Sequence, residues 1–167
     1  ANLYEANLSE ANLSEAKLSG SILERVNFNK ANLSKAKMSG VHMSESKLVG
    51  ANLSSTRLWR AQINESDLTA ANLSNARLSL ASLRQTNLSG ANLSGARLWR
   101  ADLADANLSN ANLNNANLYG ANLSGAILSG AKLDGIVAKK LQKCPYLLPS
   151  QWICKNNSLI KSKITSH

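Results

Sequence analysis

From Ala1 to Gly135 the chain repeats every five residues without an insertion, and this period limits its folds more than any other feature. The repeat fills 27 consecutive blocks. Their third residue is Leu in 23, with Phe28, Met38, Met43 and Ile63 in the rest, and their first is Ala in 20, otherwise Ser, Thr or Val. Five steps of about 100° drift around an α-helix, and an odd period alternates faces on a flat strand. Neither element keeps the Leu positions on one side. They all point inward if the chain turns a corner once per block, so that each block is one short side of a coil. All nine glycines occupy the fifth position, where a corner suits a residue without a Cβ.

Seven aromatic residues are too few for an ordinary globular core, so the interior must come from the repeated aliphatic element. A single domain that grows by length fits this composition. No run of about 18 apolar residues is present to span a membrane. The chain opens at Ala1, inside the repeat and without Met, as a trimmed chain or a mature form that has lost a leader would.

The consensus Ala-(Asn/Asp)-Leu-Ser-x, seen in Ala91 to Gly95 and Ala121 to Gly125, resembles that of the pentapeptide-repeat family over residues 1–135. The resemblance implies an all-β solenoid, a right-handed quadrilateral β-helix with four blocks per coil. Leu and the small first residue would fill a narrow shaft. Coils about 4.8 Å apart would make a rod roughly 30 Å long.

After Gly135 the pattern stops, and an open coil end needs a cover. Residues 136–155 read as a short α-helical cap: one helix over Val137 to Lys143, stopped by Pro145, and a second started by Ser150. Leu147, Leu148, Trp152 and Ile153 would plug the shaft. Residues 156–167 read as a cationic, disordered tail. Cys144 and Cys154 are either one disulfide in an oxidising compartment or two free thiols; a bridge would contribute about 2–4 kcal/mol. The opening inside the repeat, the cysteine pair and the plug resemble exported pentapeptide-repeat proteins of cyanobacteria. That resemblance implies the periplasm or thylakoid lumen, with the cytoplasm as the alternative.

Catalysis needs groups that converge in a concave site, whereas a filled rod has convex sides. His42 and His167 cannot form a site together, the cysteines lack metal-ligand spacing, and the glycines make no phosphate loop. No catalytic, cofactor or metal residue is expected, nor a small-molecule substrate. Nine Asn-Leu-Ser triplets are a by-product of the repeat and carry no weight as glycosylation sites.

Stacking residues 20 apart brings out one departure from the repeat. Lys17, Lys37, Arg57, Arg77 and Arg97 fall in succession at the second position of one side. Trp59 and Trp99 lie there too, in two copies of Arg-Leu-Trp-Arg that end at Arg60 and Arg100, with Leu80 between them and Tyr119 above. The next side carries Glu5, Glu24, Glu45, Glu65, Asp102 and Asp105, tempered by Arg25 and Arg84. One reading is a recognition strip, because Trp, Tyr and Arg dominate many interfaces. The other is intramolecular, with Arg57 and Arg97 lying over Trp59 and Trp99.

The formal charge is +9, and residues 136–167 hold six Lys and no acid. The leading expectation is a non-catalytic rod that presents a basic, aromatic side to another protein or an anionic partner. Some members of the family mimic duplex DNA and act on topoisomerases, but such mimics rely on acidic surface, which disfavours that role here. A general polyanion or membrane-surface binder is the third class. Without a groove-entering helix, sequence-specific nucleic-acid recognition is not expected.

Overall fold

The computed structural model describes residues 1–162. Parallel bridges join second-position residues 20 apart, from Asn2 and Ile22 through Asn117 and Val137, so one coil takes four blocks. The third-position side chains from Leu23 to Leu133 are buried, and the first-position side chains share the shaft with them.

Each block closes its backbone hydrogen bonds in a fixed way. In the block that starts at Ala51, Asn52 N–H donates to Ala31 of the coil below, while Leu53 and Ser55 donate to Asn72 and Ser74 of the coil above, at 2.7–2.9 Å. Ala51 donates across the corner to Leu48. The remaining amide, that of Ser54, donates to the side-chain oxygen of Asn52 at 3.1 Å. Second-position Asn is therefore a structural acceptor as well as a surface residue, and all five amides are satisfied.

The corner falls at the fifth position. Every residue there from Glu5 to Lys140 has a positive φ, between 49° and 70°. Gly adopts this conformation without strain, whereas Ala70 and Leu80 hold it at 55° and 59° against steric cost. Where Ser or Thr replaces the small apolar residue inside, its hydroxyl finds a hydrogen-bond partner: Ser46 donates to the Leu23 carbonyl at 2.8 Å, Thr56 donates to the Leu33 carbonyl at 2.9 Å, and Ser21 accepts from the Ala1 amino group at 3.3 Å.

The expected helical cap is not formed. Residues 136–150 continue the coil in degraded form, with Val137 bridging Asn117, Lys143 bridging Asn122 and Leu147 bridging Ile127. A helix over 137–143 would have satisfied its own amides and left the edge beneath it open. Instead Val137 and Gln142 donate to Ala116 and Ala121, each at 2.9 Å, and Ala138 and Leu141 enter the shaft.

In place of the second helix stands an antiparallel hairpin, β1 (Trp152–Lys155) and β2 (Ser158–Lys161). Asn156 and Asn157 turn it with φ of 50° and 53°, the left-handed pair that a two-residue hairpin requires. Part of the expected disordered tail is thus a strand; residues 163–167 lie outside the described residues.

The hairpin docks by its backbone. Leu159 donates to Ala138, and Leu141 donates to Asn157, both at 2.9 Å. Leu159, only 7% exposed, covers the shaft. Of the expected plug, Leu148 and Trp152 pack against the core, whereas Leu147 and Ile153 face outward at 44% and 43% exposure. Cys144 and Cys154 form a disulfide that ties the last coil to β1.

Two outcomes test these features in chemical denaturation. Ala70→Gly relieves a left-handed corner and raises stability by about 1 kcal/mol, while Ala71→Gly, which empties part of the shaft, lowers it. Leu159→Ala destabilises by about 2 kcal/mol or more, whereas the outward Ile153→Ala changes little.

Candidate functional site

Bridges run Lys17 to Lys37, Lys37 to Arg57, Arg57 to Arg77 and Arg77 to Arg97, so the five cations form one straight rank along a single side. They all lie exposed. With a coil rise of about 4.8 Å, the rank spans roughly 19 Å.

Four cations on other sides and at corners meet an acid one coil away. Arg25 contacts Glu45 at 3.0 Å and Glu5 at 3.5 Å, Arg84 contacts Asp102 at 3.0 Å, and Lys30 and Lys35 approach Glu10 and Glu15 at 3.9 and 3.8 Å. The hydrogen bond that Arg25 donates to Glu45 is the chief cause holding Arg25 above its ordinary pKa. Among the described residues, none of the five rank cations has such a partner.

The rank has a second effect on the backbone. Lys and Arg cannot supply the side-chain acceptor that Asn gives to the fourth-position amide. The amides of Ser19, Ser39, Trp59, Ser79 and Trp99 accordingly have no protein acceptor among the described residues, whereas on the next coil Tyr119 N–H donates to Asn117 at 3.0 Å. On other sides the lost acceptor is sometimes replaced: Val49 N–H donates to Asn29 at 2.9 Å, and Arg84 N–H to Asn64 at 3.0 Å. Because the Asn side chains they replace lie on the surface, these free amides face outward. Sequence inspection picked out the cations and missed the donors beside them, although the missing Asn was the signal.

Two shallow troughs border Arg57, Arg77 and Arg97. One, of about 400 Å³, runs toward the corner residues Lys35, Ser55, Asn75 and Gly95. The other, of about 360 Å³, runs toward Ser39, Trp59 and Ser79, where the free amides lie. The arginines form the wall between them.

Trp59 and Trp99 remain 46% and 39% exposed, two coils apart. Their guanidinium partners differ from those expected: Arg60 lies 4.4 Å from the Trp59 ring centre and Arg100 lies 5.2 Å from that of Trp99. Arg57 and Arg97 are left out of these contacts. Leu80 is half-buried at its corner. Tyr119 is half-buried under Lys140, whose ammonium lies 5.7 Å from the ring and is raised above its ordinary pKa by the phenol. The described residues contain no group of three or more His, Cys, Asp or Glu placed to hold a metal ion, and none of their helices is long and apolar enough to cross a membrane.

These features define a four-sided solenoid with one cationic, aromatic side. The chain belongs to the pentapeptide repeat family: the family model matches in eight copies over residues 6–45, 46–85, 61–100 and 101–137, and the fold is the family's right-handed β-helix.

Among solved structures, the chain is similar to HetL, a pentapeptide repeat protein involved in heterocyst differentiation regulation in the cyanobacterium Nostoc sp. strain PCC 7120. Identity is 30%, coverage is 84% of this chain and 86% of that one, and the TM-score is 0.46. It is also similar to AT2G44920, a pentapeptide repeat protein of the Arabidopsis thaliana thylakoid lumen, at 25% identity, 67% and 68% coverage and a TM-score of 0.29. QnrB1, a plasmid-mediated fluoroquinolone resistance protein, matches at 18% identity, 89% coverage of each chain and a TM-score of 0.46. No curated protein matches the chain.

Stacked like charges repel, whereas a lone cation beside acids is held. Replacing Arg77 with Ser should raise the thermal midpoint at low salt, a gain that fades in high salt. Arg25→Ser should lower it under the same conditions.

Proposed function

We propose that this protein is a non-catalytic interaction rod that binds an anionic partner, on a protein or another polymer, along the Lys17, Lys37, Arg57, Arg77 and Arg97 side. One observation carries the reading: this rank lacks acidic partners over five successive coils and leaves a parallel row of backbone donors unfilled, while Arg25, Lys30, Lys35 and Arg84 each meet an acid on the next coil. An anion laid along the side would supply what both rows lack. Charge-assisted hydrogen bonds of this kind are stronger than neutral ones. Trp59, Arg60, Leu80, Trp99, Arg100 and Tyr119 add apolar and aromatic surface beside the cations, as at many interfaces.

A rigid shaft keeps both rows in register without ordering a loop on binding, which lowers the entropic cost of association. The positive sign of this side opposes mimicry of duplex DNA. The Cys144 to Cys154 bridge supports an oxidising compartment, hence export to a periplasm or lumen.

Polyglutamate binding measured across a salt series tests the strip. Affinity should fall steeply with salt, and combined Arg57→Ser, Arg77→Ser and Arg97→Ser should weaken binding and lower the slope by about two. Equal binding by the triple variant and the parent protein would remove the strip as the anion site.

A further inference from the structure

We infer that the trough between the arginine rank and the tryptophans takes one extended acidic polysaccharide chain lengthwise, a β-1,4-linked uronate in chemical class. This rests on the reading of that side as an anion-binding strip and adds the identity of the anion's scaffold.

Width is the first argument. Arg57 and Trp59 stand two residues apart on the same side, so the trough between their ranks is about 7 Å across. An α-helix with its side chains measures about 10–12 Å and cannot reach the amides on the floor. Duplex nucleic acid is broader still. A single extended chain fits.

Pitch is the second. The three guanidiniums and the amides of Trp59, Ser79 and Trp99 each advance about 10 Å over two coils, whereas an extended peptide presents same-side carboxylates about 7 Å apart and covers about 14 Å in two steps. Such a peptide loses register at once. An extended β-1,4-linked sugar chain advances by nearly one coil height per ring. Its successive rings turn over, so every second ring offers the same side.

That alternation meets a matching one in the protein. On the fourth-position rank bulky and small residues alternate, Ser39, Trp59, Ser79, Trp99, with the two indoles separated by two coils. Arg60 and Arg100 prop the indoles, which stay 46% and 39% exposed. Each indole can therefore carry the apolar face of every second ring. The carboxylates turned toward the arginines fall within reach of two successive guanidiniums and of the free amide beside them.

A titration series with the intact chain decides the matter. Against β-1,4-mannuronate oligomers of increasing length at low salt, affinity should climb and level off at about four to five rings, the number of coils that the cation rank spans. Combined Trp59→Ala and Trp99→Ala, with its thermal midpoint checked against the parent, should weaken mannuronate binding by about tenfold or more and polyglutamate binding by clearly less, because a peptide has no ring face for the indoles to carry.

Polyglutamate bound as tightly as mannuronate of equal charge, or a double variant that binds mannuronate like the parent, would overturn the polysaccharide assignment and leave the anion strip standing. Failure of the parent protein to bind either polymer at low salt would remove both.

Discussion

The backbone amide of the fourth residue in each block is the point on which both fold and site turn. Four of the five amides in a block are closed by other backbone groups, three of them between coils and one across the corner. The fifth has no carbonyl within reach and relies on the side chain two residues earlier, as Ser54 relies on Asn52 at 3.1 Å. A buried or crowded amide without a partner costs on the order of 1–3 kcal/mol, so Asn at the second position is under structural demand wherever water is excluded. On an exposed side the demand relaxes, because water can serve the amide. The second position is then open to other side chains, at the cost of leaving a donor unclaimed by protein.

This coupling gives a surface substitution two consequences at once. Putting Lys or Arg at residues 17, 37, 57, 77 and 97 adds positive charge and strips an acceptor, and both changes favour an anion at the same place. Elsewhere the structure compensates at some positions: Asn29 and Asn64 reach across a coil to the amides of Val49 and Arg84, and Asp67 and Asp102 retain the acceptor role toward Thr69 and Ala104, whereas the amides of Glu24, Ser44, Asn64 and Ser129 are left to water as those of the cation rank are. No such rescue occurs along the cation rank among the described residues. Each successive cation in the rank adds like-charge repulsion to the last.

Much of this was legible in the sequence. The five-residue period led to the corner and the inward Leu, because a strict repeat leaves each position one environment, while the rank of cations needed four blocks per coil, which only the resemblance to the pentapeptide-repeat family implied. The cap was not legible, for two physical reasons. Residues 136–150 retain apolar first positions at Ile136 and Leu141, but Ala138 replaces Leu at the third, and Pro145 reads as a helix stop. The pull of an open coil edge on these residues is a tertiary effect that local propensity does not contain. The hairpin did leave a sign. Asn156-Asn157 between two four-residue runs is a left-handed turn pair, and Leu159 is the apolar residue placed to cover the shaft.

The guanidinium partners of Trp59 and Trp99 show how a one-step geometric rule decides between structural and interactive roles. Arg57 and Trp59 both point outward from one flat side, so their side chains run parallel across a gap. Arg60 and Arg100 occupy the left-handed corner that follows each indole, with φ of 54° and 52°, and the turn swings them back over the ring. The corner arginines thus stack on the indoles from within the chain while leaving them 46% and 39% exposed, and the second-position arginines take no part in these contacts. In a solenoid of this kind, charge at the corner serves the rod itself or pairs with the next coil, as Arg25 does with Glu45. Charge at the second position stands clear of the corner, so Asp102 meets Arg84 on the neighbouring coil, whereas the five cations of the rank have no acidic partner among the described residues.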